Sequence, residues 1–161
     1  MIYFIADTHF GHKEIIQYCN RPFSSTDEMD EALIENWNKV VKKQDAVWHL
    51  GDFALRCDIE KMQQIFSRLN GHKYLVMGNH DRHKVATYYN IGFKYVSKFP
   101  IIFKKFYILS HAPVFLNAQM PYFNIFGHMH DSPAIQTLTE QTFCVSVERH
   151  NYFPVIMKGL G

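Results

Sequence analysis

The chain has 161 residues, 47% of them hydrophobic and 20% charged, with a formal net charge of +2. That length predicts one domain, residues 1–161, able to bury a full core, and that charge is too small to imply a nucleic-acid partner by itself. No apolar run is long enough to span a membrane. No signal peptide precedes the apolar run at residues 2–6, and Cys19, Cys57 and Cys144, with no CxxC pair, suit reduced thiols in the cytoplasm.

In chain order, IYFIA (2–6) reads as a buried strand. Ser25 and Glu28 have capping-box spacing, and Met29, Leu33, Trp37, Val40 and Val41 then recur with a helical period. AVWHL (46–50) reads as a second strand. Ile59, Met62, Ile65, Phe66 and Leu69 mark an amphipathic helix that Asn70–Gly71 stops. YLVM (74–77) is a third strand, and a short helix is expected around 83–89, ending near residues 90–92. Residues 93–110 read as paired strands with Pro100 at an edge or turn. YFNIF (122–126) and FCVSV (143–147) complete the strands. Strands alternating with helices predict an α/β domain, and the strand-rich second half argues against a purely parallel sheet.

Five of the apolar runs stop at a side chain able to bind a metal. The first ends in Asp7-Thr8-His9, the second in Gly51-Asp52, and the third in Gly78-Asn79-His80-Asp81. FYIL ends in Ser110-His111, and YFNIF in Gly127-His128-Met129-His130. Functional groups collect beyond the carboxyl ends of strands in α/β sheets. Residues two apart in an extended segment point to one side, so His128 and His130 can reach one place. Asp7, His9, Asp52, Asn79 and His111 can converge there too. Oxygen and imidazole donors without thiolate suit manganese, iron, zinc, cobalt or nickel rather than a structural zinc–cysteine site. The set exceeds the needs of one ion, and two ions sharing a carboxylate would generate hydroxide near neutral pH and stabilise attacking and leaving oxygens. Each residue has a structural alternative: Asp7 as a helix N-cap, Asn79 in a turn, Asp52 ending a strand, His111 as a core histidine. Their joint occurrence in order points to chemistry.

These blocks, D-x-H, GD, GNHD, a lone His after a strand, and GHMH, resemble the calcineurin-like metallophosphoesterases in identity and order over residues 7–130. The ending VSVERHNYFPV also looks like that of small bacterial and phage members. The resemblance implies a two-sheet β-sandwich flanked by helices, a four-layer αββα fold. It implies two divalent ions, with manganese first. Asp7, His9 and His130 would hold one ion, Asn79, His111 and His128 the other, and Asp52 would bridge them. His80 would face the leaving oxygen, oriented by Asp81. Metal-bound hydroxide would then attack phosphorus in line.

The sequence departs from the family where many members show GD-x-x-D, since Asp52 is followed by Phe53-Ala54-Leu55. There is no room for a large cap, so substrate choice falls to loops near 10–23, 53–57, 82–92 and 112–123. The expected activity is phosphodiester hydrolysis of a small molecule or nucleotide. The alternatives are a phosphomonoesterase or nuclease with the same site, nucleic acid being disfavoured by charge, or a non-catalytic metal-binding interaction module. His12, Arg82 and His83 stand beside the motifs as candidate supporting or phosphate-facing groups. Arg21 reads as a surface residue with phosphate binding as the alternative. His49, His72 and His150 read as structural or exposed. Phe10, Phe53, Phe115, Tyr122 and Phe123 are expected in the core, with a base-stacking rim as the alternative.

Overall fold

A computed structural model describes residues 1–157. β1 (Ile2–Ile5), β2 (Ala46–His49), β3 (His72–Val76) and β4 (Tyr95–Ser97) form one sheet in that order, every neighbour parallel. β5 (Ile101–Phe103), β6 (Tyr107–Ser110), β7 (Phe123–Phe126) and β8 (Thr142–Cys144) form the second, antiparallel only between β5 and β6. The expectation of paired strands over 93–110 is corrected here. β4 joins the first sheet, and Pro100 sits at the crossover, so only β5 and β6 pair with each other.

Strand alternation divides the core into two layers. Phe4, Trp48 and Val76 face the second sheet and pack with Leu109, Ile125 and Val145. The Phe103 ring lies edge-on to Phe4 and Trp48 at 6.4 and 5.4 Å between centroids. Tyr3, Ile5, Val47 and Leu75 point the other way, into a cluster with the helices. Those are α1 (Glu14–Tyr18), α2 (Thr26–Val40), α3 (Ile59–Arg68) and α4 (Val85–Ile91). Met29, Leu33 and Trp37 of α2 are buried as their spacing predicts. Each such side chain contributes about 1.5–3 kcal/mol of transfer free energy. Two sheets flanked by helices are the α/β arrangement expected. No helix among the described residues is long and apolar enough to cross a membrane.

The α2 cap forms in modified form. Ser25 Oγ accepts the Glu28 N–H at 3.1 Å, but the Glu28 carboxylate accepts from Ser24 rather than from Ser25. After β8 the chain crosses to the first sheet: the Ala6 N–H donates to the Val145 carbonyl, and the Val147 N–H to that of Ala6. A 3-10 turn at Val147–His150 follows directly beside the end of β1. This crossing sets residues 146–148 against Asp7.

Candidate metal centre

The loops after β1 and β2 run side by side. N–H groups of Asp7, His9 and Phe10 donate to carbonyls of Gly51, Asp52 and Phe53, each at 3.0 Å. Within them the backbone turns left-handed at Asp7 (φ 61°), His9 (φ 51°) and Asp52 (φ 56°), and again at His128 (φ 67°) and His130 (φ 44°). Such conformations are costly for residues with a Cβ and gather at functional sites. Two glycines let the loops meet. A Cβ at Gly78 would stand 2.2 Å from Asp52 Oδ1, and one at Gly51, where φ is 98°, 2.4 Å from His111 Nδ1.

The residues expected as ligands come together. Asp7, His9 and His130 offer donor atoms within 4.8 Å of one another, as do Asp7, Asp52 and His111. Asp52 Oδ2 lies 3.4 Å from both His9 Nε2 and His111 Nε2, midway between the two groups. His111 donates its Nδ1–H to the Leu50 carbonyl, which leaves the Nε2 lone pair inward. That nitrogen faces Asn79 Oδ1 at 2.9 Å and His128 Nδ1 at 3.1 Å, and those two atoms are also 3.1 Å apart. Lone-pair atoms crowded this closely require a proton or a cation between them. On the other side, Asp7 Oδ1 and both His9 ring nitrogens are buried without a hydrogen-bond partner. Buried polar atoms are rarely left so, and the donor set fits divalent ions. Asp7, His9 and Asp52 are buried, whereas Asn79 and His128 are exposed, so the ligand set around Asp7 and His9 is the more enclosed, reached through the cleft that His9 and His130 line.

The electrostatics agree. Burial raises the Asp7 carboxyl to about 6, against the pull of His130, His111 and Ser146. Burial lowers His9 to about 4 although Asp52 opposes the shift. Burial alone would raise Asp52, but His111 and His9 hold it well below the usual carboxylate range, so it stays ionised. His111 is raised despite burial, because Asp52 and Asp7 favour its charged form. A buried, ionised carboxylate flanked by imidazoles is a place that prefers cations.

His80 lines the cleft beside these groups, its ring 5.4 Å from that of His9 and its Nδ1 buried without a partner. Its main-chain N–H donates to Asp52 Oδ1 at 2.8 Å. Asp81 departs from the expected role. Its oxygens accept the N–H groups of Asp52, Gly78 and Phe53 at 2.7, 2.8 and 3.0 Å, and no hydrogen bond joins it to His80 among the described residues. Asp81 is buried, and its carboxylate turns to the N–H groups of the GD loop and of Gly78 rather than to the His80 ring. It therefore positions the loops that carry Asp52 and His80. Burial pushes its carboxyl up to about 7, with Asp52 adding to the rise.

Arg21 is also not where the sequence put it. It is 4% exposed and donates to the Asp7 and Thr8 carbonyls at 2.6 and 2.9 Å. Sequence reasoning missed two further residues. Ser146 Oγ donates to Asp7 Oδ2 at 2.6 Å, and Glu148 Oε1 accepts from His130 Nδ1 at 3.0 Å. His49 is structural as read: fully buried, its Nε2 is 2.9 Å from Thr8 Oγ1, which donates to the Phe53 carbonyl. Phe10 and Phe53 pack in the core, while Phe115 is 90% exposed and lines neither cleft described below.

One cleft opens on the centre and a second adjoins it. The first, of about 430 Å³, runs from His9 and His130 past His12 and Tyr18 to His80. The other, of about 350 Å³, continues to Asp58 and His83. They share Leu55, Arg56, His80 and Arg82. Arg56 pairs with Glu14 across the first cleft, and Tyr18, 74% exposed, lines its wall. Three of the four loops expected to govern substrate choice line these clefts, and residues 112–114 of the fourth line a separate pocket of about 260 Å³ beside His111.

Two sheets whose strand ends converge an aspartate- and histidine-rich donor set define a metallohydrolase-type site. Residues 1–145 match the family model described as calcineurin-like phosphoesterase, and the chain belongs to that family. It is 36% identical over 163 aligned residues to an uncharacterized protein of Methanocaldococcus jannaschii, covering 96% of this chain and 85% of the relative. The gene 66 protein of Mycobacterium phage L5 is 34% identical over 106 residues, 59% of this chain and 50% of the phage protein. A protein of unknown function from Aquifex aeolicus superposes with a TM-score of 0.75 at 28% identity, over 96% of this chain and 94% of its own. The Pseudomonas putida nuclease MPE shares the fold, with a TM-score of 0.54 at 21% identity over 80% of this chain and 61% of the nuclease.

Proposed function

We propose that this phosphoesterase is a dinuclear, metal-dependent phosphodiesterase. The reading is carried by the two clefts that meet at Arg56, His80 and Arg82 beside the donor cluster. A phosphorus held at that junction has room for one substituent in each cleft. A diester needs both, and a monoester needs one. In this reading Asp7, His9, Asp52 and His130 hold one ion, and Asp52, Asn79, His111 and His128 hold the other. Manganese is the first candidate, with iron, zinc, nickel or cobalt as alternatives. Such ions supply Lewis-acid stabilisation of phosphoryl charge and lower the pKa of water.

The chain's own groups do the positioning. Asp52 remains an anion between the two donor sets and fixes the His80 main chain. The His80 ring, facing the cleft, holds a proton at a ring nitrogen for the departing alkoxide. Arg82 offers a guanidinium at the junction, and Arg56 can exchange its Glu14 partner for a phosphate oxygen. Tyr18 gives a planar substituent a face on which to stack.

The test compares bis(p-nitrophenyl) phosphate with p-nitrophenyl phosphate on manganese-loaded protein at neutral to mildly alkaline pH. A higher kcat/KM for the diester is expected. A monoester preference would make the protein a phosphatase. High activity on long DNA that weakens steeply with salt would make it a nuclease. Turnover of none of these would return the reading to a metal-binding interaction module.

A further inference from the structure

We infer that Glu148, held by Arg21, is a positioning residue for the metal centre: together they fix the His130 imidazole and the Asp7 turn so that the enclosed ligand set is preformed. The inference rests on the reading of Asp7, His9 and His130 as metal ligands. Glu148 lies beyond residues 1–145, the segment that defines the family match.

The crossing from β8 to β1 carries the carboxylate to its place. Oε1 accepts from three donors: His130 Nδ1 at 3.0 Å, Arg21 Nη2 at 2.6 Å and Arg21 Nε at 3.0 Å. The guanidinium is fully enclosed, and the Glu148 side chain is 5% exposed. Of the other Arg21 hydrogen bonds, one goes to Met29 Sδ at 3.4 Å and two reach back to the centre. Nη2 also donates to the carbonyl of Asp7, and Nη1 donates to that of Thr8. Both carbonyls belong to the turn that Asp7 enters at φ 61°. One ion pair thus touches the ring of one candidate ligand and the backbone of another, across 127 residues of sequence.

A stability role alone does not account for this wiring. A buried ion pair is a weak device for stability, because desolvation offsets most of the attraction. A carboxylate on the Nδ1–H of an imidazole does something more specific. It fixes the tautomer that leaves the lone pair on Nε2, and it raises the basicity of that nitrogen. The Arg21 bonds to the Asp7–Thr8 carbonyls hold a backbone conformation that an L-residue adopts only at a cost. Cys19, His130 and Glu148 also offer donor atoms within 4.8 Å of one another. The Arg21 guanidinium against Glu148 makes that trio a poor cation site and leaves it as supporting structure.

The test is calorimetric titration of manganese into metal-free protein, with thermal unfolding measured in parallel. Glu148→Ala is expected to weaken manganese binding at the enclosed site by about 10–100-fold. Because that variant leaves Arg21 buried and unpaired, it can fail to fold. The double variant Arg21→Met with Glu148→Met removes both charges at similar volume and is expected to fold. It should show the same loss of manganese affinity. Wild-type affinity in the folded double variant would overturn the inference and leave the ligand assignment standing. A wild-type protein that takes up no manganese would overturn both.

Discussion

An Asp52→Asn variant is expected to fold normally, to bind at least one divalent ion more than about 100-fold more weakly, and to regain part of its lost activity in excess metal. Removing only an outer partner of a metal ligand already costs about 10–100-fold, and here the lost group is an anion shared by two donor sets. Asp52 Oδ2 is equidistant, at 3.4 Å, from His9 Nε2 and His111 Nε2. Asparagine keeps the shape, tolerates the left-handed φ of 56°, and can still accept the His80 N–H through its amide oxygen. What it removes is the negative charge that separates two dications, whose repulsion then opposes double occupancy. Metal titrations of binding and of rate check both parts.

A His80→Ala variant should behave oppositely. Both ions should stay bound while the chemical step slows by roughly 10²–10⁴-fold, about 3–5 kcal/mol of transition-state stabilisation. The His80 main-chain N–H donates to Asp52, and alanine retains that bond. The ring lies beside His9, 5.4 Å between centroids, and in this reading is not a ligand, so none is lost. Excess metal should not rescue the variant. Its defect should shrink as the leaving group becomes more acidic, because less proton delivery is then needed. Rates across aryl diesters of graded leaving-group pKa measure this directly. Loss of metal from His80→Ala, or rescue by metal, would mean that His80 is a ligand.

The parts of the site legible in the sequence were those written at strand ends. Asp7, Asp52, Asn79, His111 and His128 each follow an apolar run, and parallel pairing of β1 to β3 and of β6 to β7 brings those ends to one edge. The supporting groups were not legible, because their partners are distant in sequence. Ser146 meets Asp7 across 139 residues, and Arg21 meets Glu148 across 127. Nothing local to Arg21 signals burial. The family resemblance implied Asp81 as a partner for His80, yet its carboxylate turns to the backbone of the neighbouring loop. In the fold, the alternation of residues 93–110 gave strands but not their sheets. Pro100 ends one sheet's edge and begins the other's, a tertiary choice that periodicity does not encode. α1 went unread because one short turn has too few positions to show a period.

Metal stoichiometry tests the central claim most directly. The protein would be stripped with a chelator, reconstituted with manganese, freed of excess ion and analysed for metal per chain, with diesterase activity followed on the same samples. The expected result is loss of activity on stripping, recovery on reconstitution, and two ions per chain at full activity. Full activity with one ion per chain or fewer would contradict the dinuclear centre.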